Sequence, residues 1–234
     1  MSFVPYGTTV SGLFRRRVNR FVAEVEVSGE LAAAHVPSSG RMSDILLPGA
    51  EILLRPAPEA VGRTTRFTLL AVRKGSLYVS VDATLPNRLL KICFATSGLP
   101  ELSGWTLECA EYTMGDSRFD FLLRRQGQLC PVEVKSVTHV DAVGGMARFP
   151  DAPTTRGTRH VRHLAAHAAA GLPAAVIFVI QRSDATHFAP YEEIDPVFSL
   201  ALEVARQQGV TILAYTCEIS PRGVELLRNV PVSM

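Results

Sequence analysis

Hydrophobic periodicity changes character once along this chain, between residues 82 and 86, and that change limits the fold more than any other feature. Before it, short runs alternate apolar with polar residues and are separated by turn-forming clusters. Residues 21–27 place Phe21, Ala23, Val25 and Val27 on one face and Glu24 and Glu26 on the other. That period of two is a half-buried strand, and it puts Phe21 in the core. Ser28-Gly29-Glu30 is a turn, 35–36 a short strand, and Pro37-Ser38-Ser39-Gly40 a loop. Residues 51–55 form another strand between Pro48-Gly49 and Pro56, and 66–72 and 77–81 flank the turn Arg73-Lys74-Gly75-Ser76. So many short strands predict a small barrel or sandwich; an OB-like barrel is one candidate, which spacing alone does not select.

Beyond Pro86-Asn87 strands alternate with helices. Helical patterns cover 88–95, 155–170 and 196–208, and strand patterns 107–112, 117–124, 131–137, 174–181 and 210–216. Thr154 or Thr155 can cap the second helix and Gly171 end it; Asp195-Pro196 opens the third and Gly209 stops it. The expectation is a two-domain chain of α+β or α/β class: 1–82 a small β-barrel, 83–234 a mixed α/β sheet packed by helices. A chain of 234 residues, 47% of them hydrophobic, can bury a core in each.

Charge narrows the function. The 24 basic and 22 acidic residues leave a net +2, which excludes a protein that coats nucleic acid through its overall charge; any such binding must come from a local patch. Residues 1–82 hold 10 basic and 7 acidic residues, net +3, and the remainder 14 and 15, net −1. No run of ~18 uncharged apolar residues exists to span a membrane, and residues 1–12 lack the order of a signal peptide. A soluble cytoplasmic protein is expected; oligomeric state is not legible. Cys93, Cys109, Cys130 and Cys217 have no metal or redox spacing and read as buried, reduced thiols.

Chemistry concentrates in one hairpin. Ser117-Arg118-Phe119-Asp120-Phe121 leads through Arg124-Arg125-Gln126-Gly127-Gln128 to Pro131-Val132-Glu133-Val134-Lys135. Glu133 and Lys135, two apart, share a face of their strand, and the hairpin can bring Asp120 beside them. Two neighbouring carboxylates repel, and burying them is costly unless a cation resolves the conflict. Hard Mg²⁺ takes such oxygens and can activate water beside a phosphate. An acidic residue followed by Glu-X-Lys on the next strand is the pattern of the PD-(D/E)XK nucleases. The same residues also suit a solvent-facing stripe in which Asp120 simply opposes Lys135. Lys135 is one of only three lysines in an arginine-rich chain, the others being Lys74 and Lys91.

Further segments carry a resemblance. Arg20-Phe21, His35-Val36-Pro37-Ser38-Ser39-Gly40-Arg41-Met42, Pro86-Asn87, the Asp120 strand and Val132-Glu133-Val134-Lys135-Ser136-Val137-Thr138 are joined by Phe149-Pro150-Asp151-Ala152-Pro153-Thr154-Thr155-Arg156-Gly157 with His160. Taken together, and over essentially its whole length, the sequence resembles the sugar fermentation stimulation protein family. Ser38 departs from it, standing where the family usually carries Asn. The resemblance implies an N-terminal OB-like domain, a C-terminal PD-(D/E)XK nuclease-like domain, DNA binding and an association with maltose metabolism.

On that reading Asp120, Glu133 and Lys135 are the catalytic set. Asp120, Glu133 and the Val134 carbonyl, with Glu111 (nearer the family position than Glu108) as the upstream acid, are the candidate ligands of Mg²⁺ or Mn²⁺. Arg16, Arg17, Arg20 and Arg41 of the first domain are candidate phosphate contacts, as are Arg118, Gln181 and Arg182 of the second. Arg156, Arg159 and His160, at i, i+3 and i+4, are expected on one helix face near its N-terminal amides. His163 and His167 lack the Glu of a zinc helix and read as a solvated face. A non-catalytic DNA-binding regulator of sugar-metabolism genes is the alternative.

Overall fold

The computed structural model describes residues 2–38, 40, 42–58 and 64–234. Six strands in the first third are β2 (Val10–Asn19), β3 (Val22–Val27), β4 (Glu30–His35), β5 (Glu51–Pro56), β6 (Phe67–Lys74) and β7 (Leu77–Ser80). They hydrogen-bond in the order β4-β3-β2-β5-β6-β7. Parallel pairing of Ala34 with Phe67 and His35 with Thr68 joins β4 to β6 and closes β2 to β6 into a five-stranded barrel, the OB domain expected. Phe14, Ala23, Val25, Ile52, Leu54 and Leu69 fill it. Gly12 is required on β2, because a Cβ there would sit 2.6 Å from the Glu26 carbonyl oxygen.

The arginine run lies inside β2. Its register on β3 sets Arg16 against Glu24 and Leu13 against Glu26, so the two glutamates of the β3 polar face meet Arg16 and Arg15 across the ladder. Phe21 is not in the core: it is 47% exposed in the turn between β2 and β3. It is in phase with Ala23 and Val25, but the chain is still reversing at that point.

The second sheet has seven strands in the order β1-β15-β14-β12-β10-β9-β8. These are β1 (Phe3–Pro5), β8 (Thr106–Met114), β9 (Ser117–Arg125), β10 (Gln128–Val137), β12 (Ala175–Ile180), β14 (Thr211–Ser220) and β15 (Gly223–Asn229). A separate ribbon pairs β11 (Met146–Phe149) with β13 (His187–Pro190). In the large sheet β10, β12 and β14 run parallel and the rest antiparallel. The central β12, Ala175-Val176-Ile177-Phe178-Val179-Ile180, is buried throughout, the mark of a parallel strand covered on both faces. Helix α1 (Leu85–Thr96) and the barrel residues Leu53, Leu70 and Ala71 cover one face. Helices α2 (Thr155–Ala169) and α3 (Pro196–Gln207) cover the other. No helix among the described residues is long and apolar enough to cross a membrane.

Helix starts matter here because α2 carries a site residue. Thr154 Oγ1 accepts the Gly157 N–H at 3.1 Å, and Asp195 does double duty. Its Oδ1 caps α3 through the Phe198 N–H (2.9 Å), and its Oδ2 takes the Thr154 N–H (2.7 Å). Asp195→Ala is therefore expected to lower stability by about 2 kcal/mol, since it removes a cap and leaves a second N–H without its acceptor. Thermal denaturation followed by circular dichroism checks this; a change as small as an ordinary surface substitution would contradict the shared-cap reading.

Candidate active site

Strands β9 and β10 pair from Gln128↔Arg125 to Val132↔Phe121 and then part. The next N–H, that of Val134, donates not to the β9 backbone but to Asp120 Oδ2 at 2.7 Å. The two-residue turn Gln126-Gly127, both residues at positive φ, holds the register that makes this possible. Asp120 Oδ1 accepts from Asn87 Nδ2 at 2.6 Å, so α1 fixes the carboxylate from the other side. Burial and the nearby charge of Glu133 push the Asp120 carboxyl above its ordinary pKa, against the opposing pull of the Val134 N–H, Asn87 and Lys135.

Glu133 is buried on β10. Its Oε1 accepts from Lys135 Nζ at 2.6 Å, and His160 Nδ1 of α2 sits 2.9 Å from the same oxygen, off the line of a hydrogen bond. The other oxygen, Oε2, is buried with no hydrogen-bond partner among the described residues. Native proteins rarely leave a carboxylate oxygen in that condition. The side chains of Lys135 and Glu133 are only 13% and 6% exposed. The solvent-facing stripe that the bare pattern allowed is thus not what the chain builds.

The candidate metal ligands separate accordingly. Asp120 and Glu133 converge. Glu111 lies between the rungs Ala110↔Phe121 and Tyr112↔Phe119, yet its side chain is 70% exposed and its carboxylate is 3.8 Å from Arg118. Glu108 is tied to Arg124 at 2.6 Å. Among the described residues no group of three or more His, Cys, Asp or Glu side chains is gathered to hold a metal ion. Two carboxylates, one with an unpartnered buried oxygen, still fit a hard divalent cation that keeps several waters.

The cationic candidates divide too. Arg17 binds backbone carbonyls, those of Gly40 (3.0 Å) and Ser38 (2.9 Å) among them, and so holds a barrel loop. Arg16 is paired with Glu24. Arg182 is buried and makes two 2.6 Å bonds to Asp184, which occupies the guanidinium expected to reach a phosphate. His160 does not share the open face of Arg156 and Arg159; it is buried against Glu133 and the ring of Phe119, because the α2 face with Gly157, Val161 and Leu164 packs on the sheet. Arg20, Arg156 and Arg159 are exposed, with no side-chain partner among the described residues. Arg41 lies outside the described residues. His163 and His167 are half-buried rather than solvated, His163 lying 3.4 Å from Asp116. Of the thiols, Cys93, Cys130 and Cys217 are buried and Cys109, expected inside, is exposed on the edge strand β8.

Two residues carry more of the site than their sequence showed. Asn87 follows a proline at the start of a helix, with nothing nearby in sequence to mark it as Asp120's partner. His160 belongs to a helix whose other histidines lie away from Glu133, His163 meeting Asp116 instead.

Comparison with known proteins agrees with this architecture. The family model described as the sugar fermentation stimulation protein RE domain matches residues 84–223, and that of the SfsA N-terminal OB domain matches 16–81. The sugar fermentation stimulation protein homolog of Chloroflexus aggregans is 44% identical over 96% of this chain and 85% of its own. That of Moorella thermoacetica is 42% identical over 96% and 97%. The solved structure of Pyrococcus furiosus SfsA in complex with Ca²⁺ is similar over 100% of both chains, with a TM-score of 0.90 at 28% identity.

Proposed function

The chain belongs to the sugar fermentation stimulation protein family, and we propose that it is a DNA-binding protein whose C-terminal domain is a Mg²⁺- or Mn²⁺-dependent nuclease of PD-(D/E)XK type. The observation that carries this reading is the buried, unpartnered Glu133 Oε2 next to an Asp120 whose charge is already disfavoured. The Ca²⁺ in the Pyrococcus furiosus relative supports a divalent ion for the family. Asp120 and Glu133 would hold it, with the Val134 carbonyl completing the protein's share. A divalent ion so held neutralises charge on a phosphoryl oxygen and activates water.

The chain's own residues do the rest. The Val134 N–H and Asn87 fix both oxygens of Asp120. His160 backs Glu133 from α2. Lys135, resting on Glu133 Oε1, offers its remaining N–H donors to the attacking water and a phosphate oxygen. Arg156 and Arg159, exposed on the first turns of α2, meet the DNA backbone.

The test is cleavage of labelled single- and double-stranded DNA with Mg²⁺ or Mn²⁺, by wild type and by Lys135→Ala and Glu133→Ala. Metal-dependent cleavage should fall about a thousandfold in either variant. Cleavage that survives both substitutions would sink the site, and DNA binding without any cleavage would make the protein a regulator instead.

A further inference from the structure

A cleft of about 480 Å³ separates the barrel from the sheet. Arg20, Ser38, Gly40, Met42 and Val81 line it from the barrel side. It opens past the C-terminal ends of the parallel strands β10 and β12, where open α/β sheets place their ligands. Its far wall is formed by residues 136–139 and 148–154, with Gln181, the first residue after β12. The sheet residue Lys135 of the carboxylate site directly precedes Ser136 of this wall.

Gln181 is the unusual member. It is 1% exposed, its Nε2 donates to Ser136 Oγ at 2.8 Å, and its Oε1 has no partner among the described residues. A buried amide with an unmet acceptor is costly unless something supplies the donor. Protein groups have not done so, although the residue is held firmly: its N–H donates to the Val137 carbonyl and its carbonyl accepts the Ser80 N–H. Because a hydroxyl both donates and accepts, Ser136 can hold either end of the amide and leave the other toward the cleft. A planar amide presented in this way matches the edges of nucleobases. Met42, Val81, Val137 and Pro153 give a ring apolar walls. On the far wall Arg148 is bonded to Asp141 and Asp151 adds a negative charge, which disfavours a phosphate there, while on the barrel side Arg20 has no side-chain partner among the described residues. The volume is that of a small-molecule pocket and holds a nucleotide, not a duplex.

We propose that this cleft receives one unpaired nucleotide of a single strand, Gln181 meeting the base edge and Arg20 the backbone, and thereby sets the substrate class of the neighbouring carboxylate site. The last clause rests on the nuclease reading; the binding does not.

Binding is measured by fluorescence anisotropy in EDTA, with a 5′-labelled mixed-sequence hexanucleotide, its duplex, and deoxycytidine monophosphate as a competitor. The single strand should bind best. Gln181→Leu should weaken it about tenfold while the protein remains folded at the assay temperature, and Arg20→Ala should reduce the slope of affinity against salt by about one. Should Gln181→Leu fail to fold, the Arg20 variant and the competitor decide. The proposal falls if both variants bind within about twofold of wild type. It also falls if the duplex binds more tightly, or if the free nucleotide competes as well as the unlabelled hexanucleotide. Cleavage assays in parallel separate the two readings. Gln181-dependent binding without cleavage overturns the nuclease and keeps the cleft; Glu133-dependent cleavage with binding indifferent to Gln181 and Arg20 does the reverse.

Discussion

Asp120→Asn is expected to abolish metal-dependent cleavage, by about a thousandfold or more, while raising the melting temperature of the metal-free protein by a few degrees at neutral pH. The pairing of the two effects is what makes the experiment decisive. Without a bound cation Asp120 is half-buried beside Glu133, and both desolvation and that neighbour raise its pKa. A carboxyl whose native pKa lies above its unfolded one binds protons more strongly when folded. Its contribution is therefore most favourable at low pH and is lost as pH rises from the unfolded value through the raised native value. Asparagine has no charge to lose. Its carbonyl still accepts the Val134 N–H, and the Asn87 amide can turn its oxygen toward the new NH₂ group. The stability advantage of the variant should accordingly grow as pH is raised, which thermal denaturation at a series of pH values in EDTA would show. An ordinary structural aspartate behaves oppositely, and a variant that is both inactive and less stable at every pH would place Asp120 among structural residues.

That cost is visible in the sequence only as a pattern. Asp120, Glu133 and Lys135 could be placed on adjoining strands because period-two alternation fixes which side chains share a face. Whether that face is buried depends on α2, whose contact with β10 is made by residues separated by more than twenty positions. The same limit explains Phe21 and the arginine run. Alternation reads a strand correctly through Val27 but has no means of seeing that the chain turns at Phe21. Arg16 looks free to meet a phosphate until β3 brings Glu24 opposite it, as Glu26 meets the neighbouring Arg15. Arg182, at the end of an apolar strand, looks available to a phosphate, but Asp184, two residues on, takes both of its guanidinium bonds. Pairing of β1 with β15, at opposite ends of the chain, has no local signature at all. Local periodicity thus carried the two-domain architecture and the hairpin, while the long-range contacts decided which charged groups remain free to act.

Those free groups make the second large effect predictable. Mn²⁺ at about a hundred times its dissociation constant should stabilise the wild-type protein by about 2.7 kcal/mol. For a chain of this size that is a rise of about 5–10 °C in melting temperature, reversed by EDTA. Glu133→Gln should remove the rise almost entirely. Its amide oxygen can still accept from Lys135, but the position of the unpartnered Oε2 then carries an NH₂ group, which cannot ligate a cation. Protons compete with the metal for Asp120, so the wild-type shift should shrink as pH falls through the raised pKa of that carboxyl. Arg20→Ala, in the interdomain cleft, should retain the whole shift, which distinguishes loss of a ligand from general damage. A Glu133→Gln protein that still gained the full stabilisation from Mn²⁺ would mean that the ion binds elsewhere. Asp120 and Glu133 would then be a repelling pair offset only in part by Lys135, Asn87 and the Val134 N–H, an arrangement that the unpartnered oxygen makes hard to sustain.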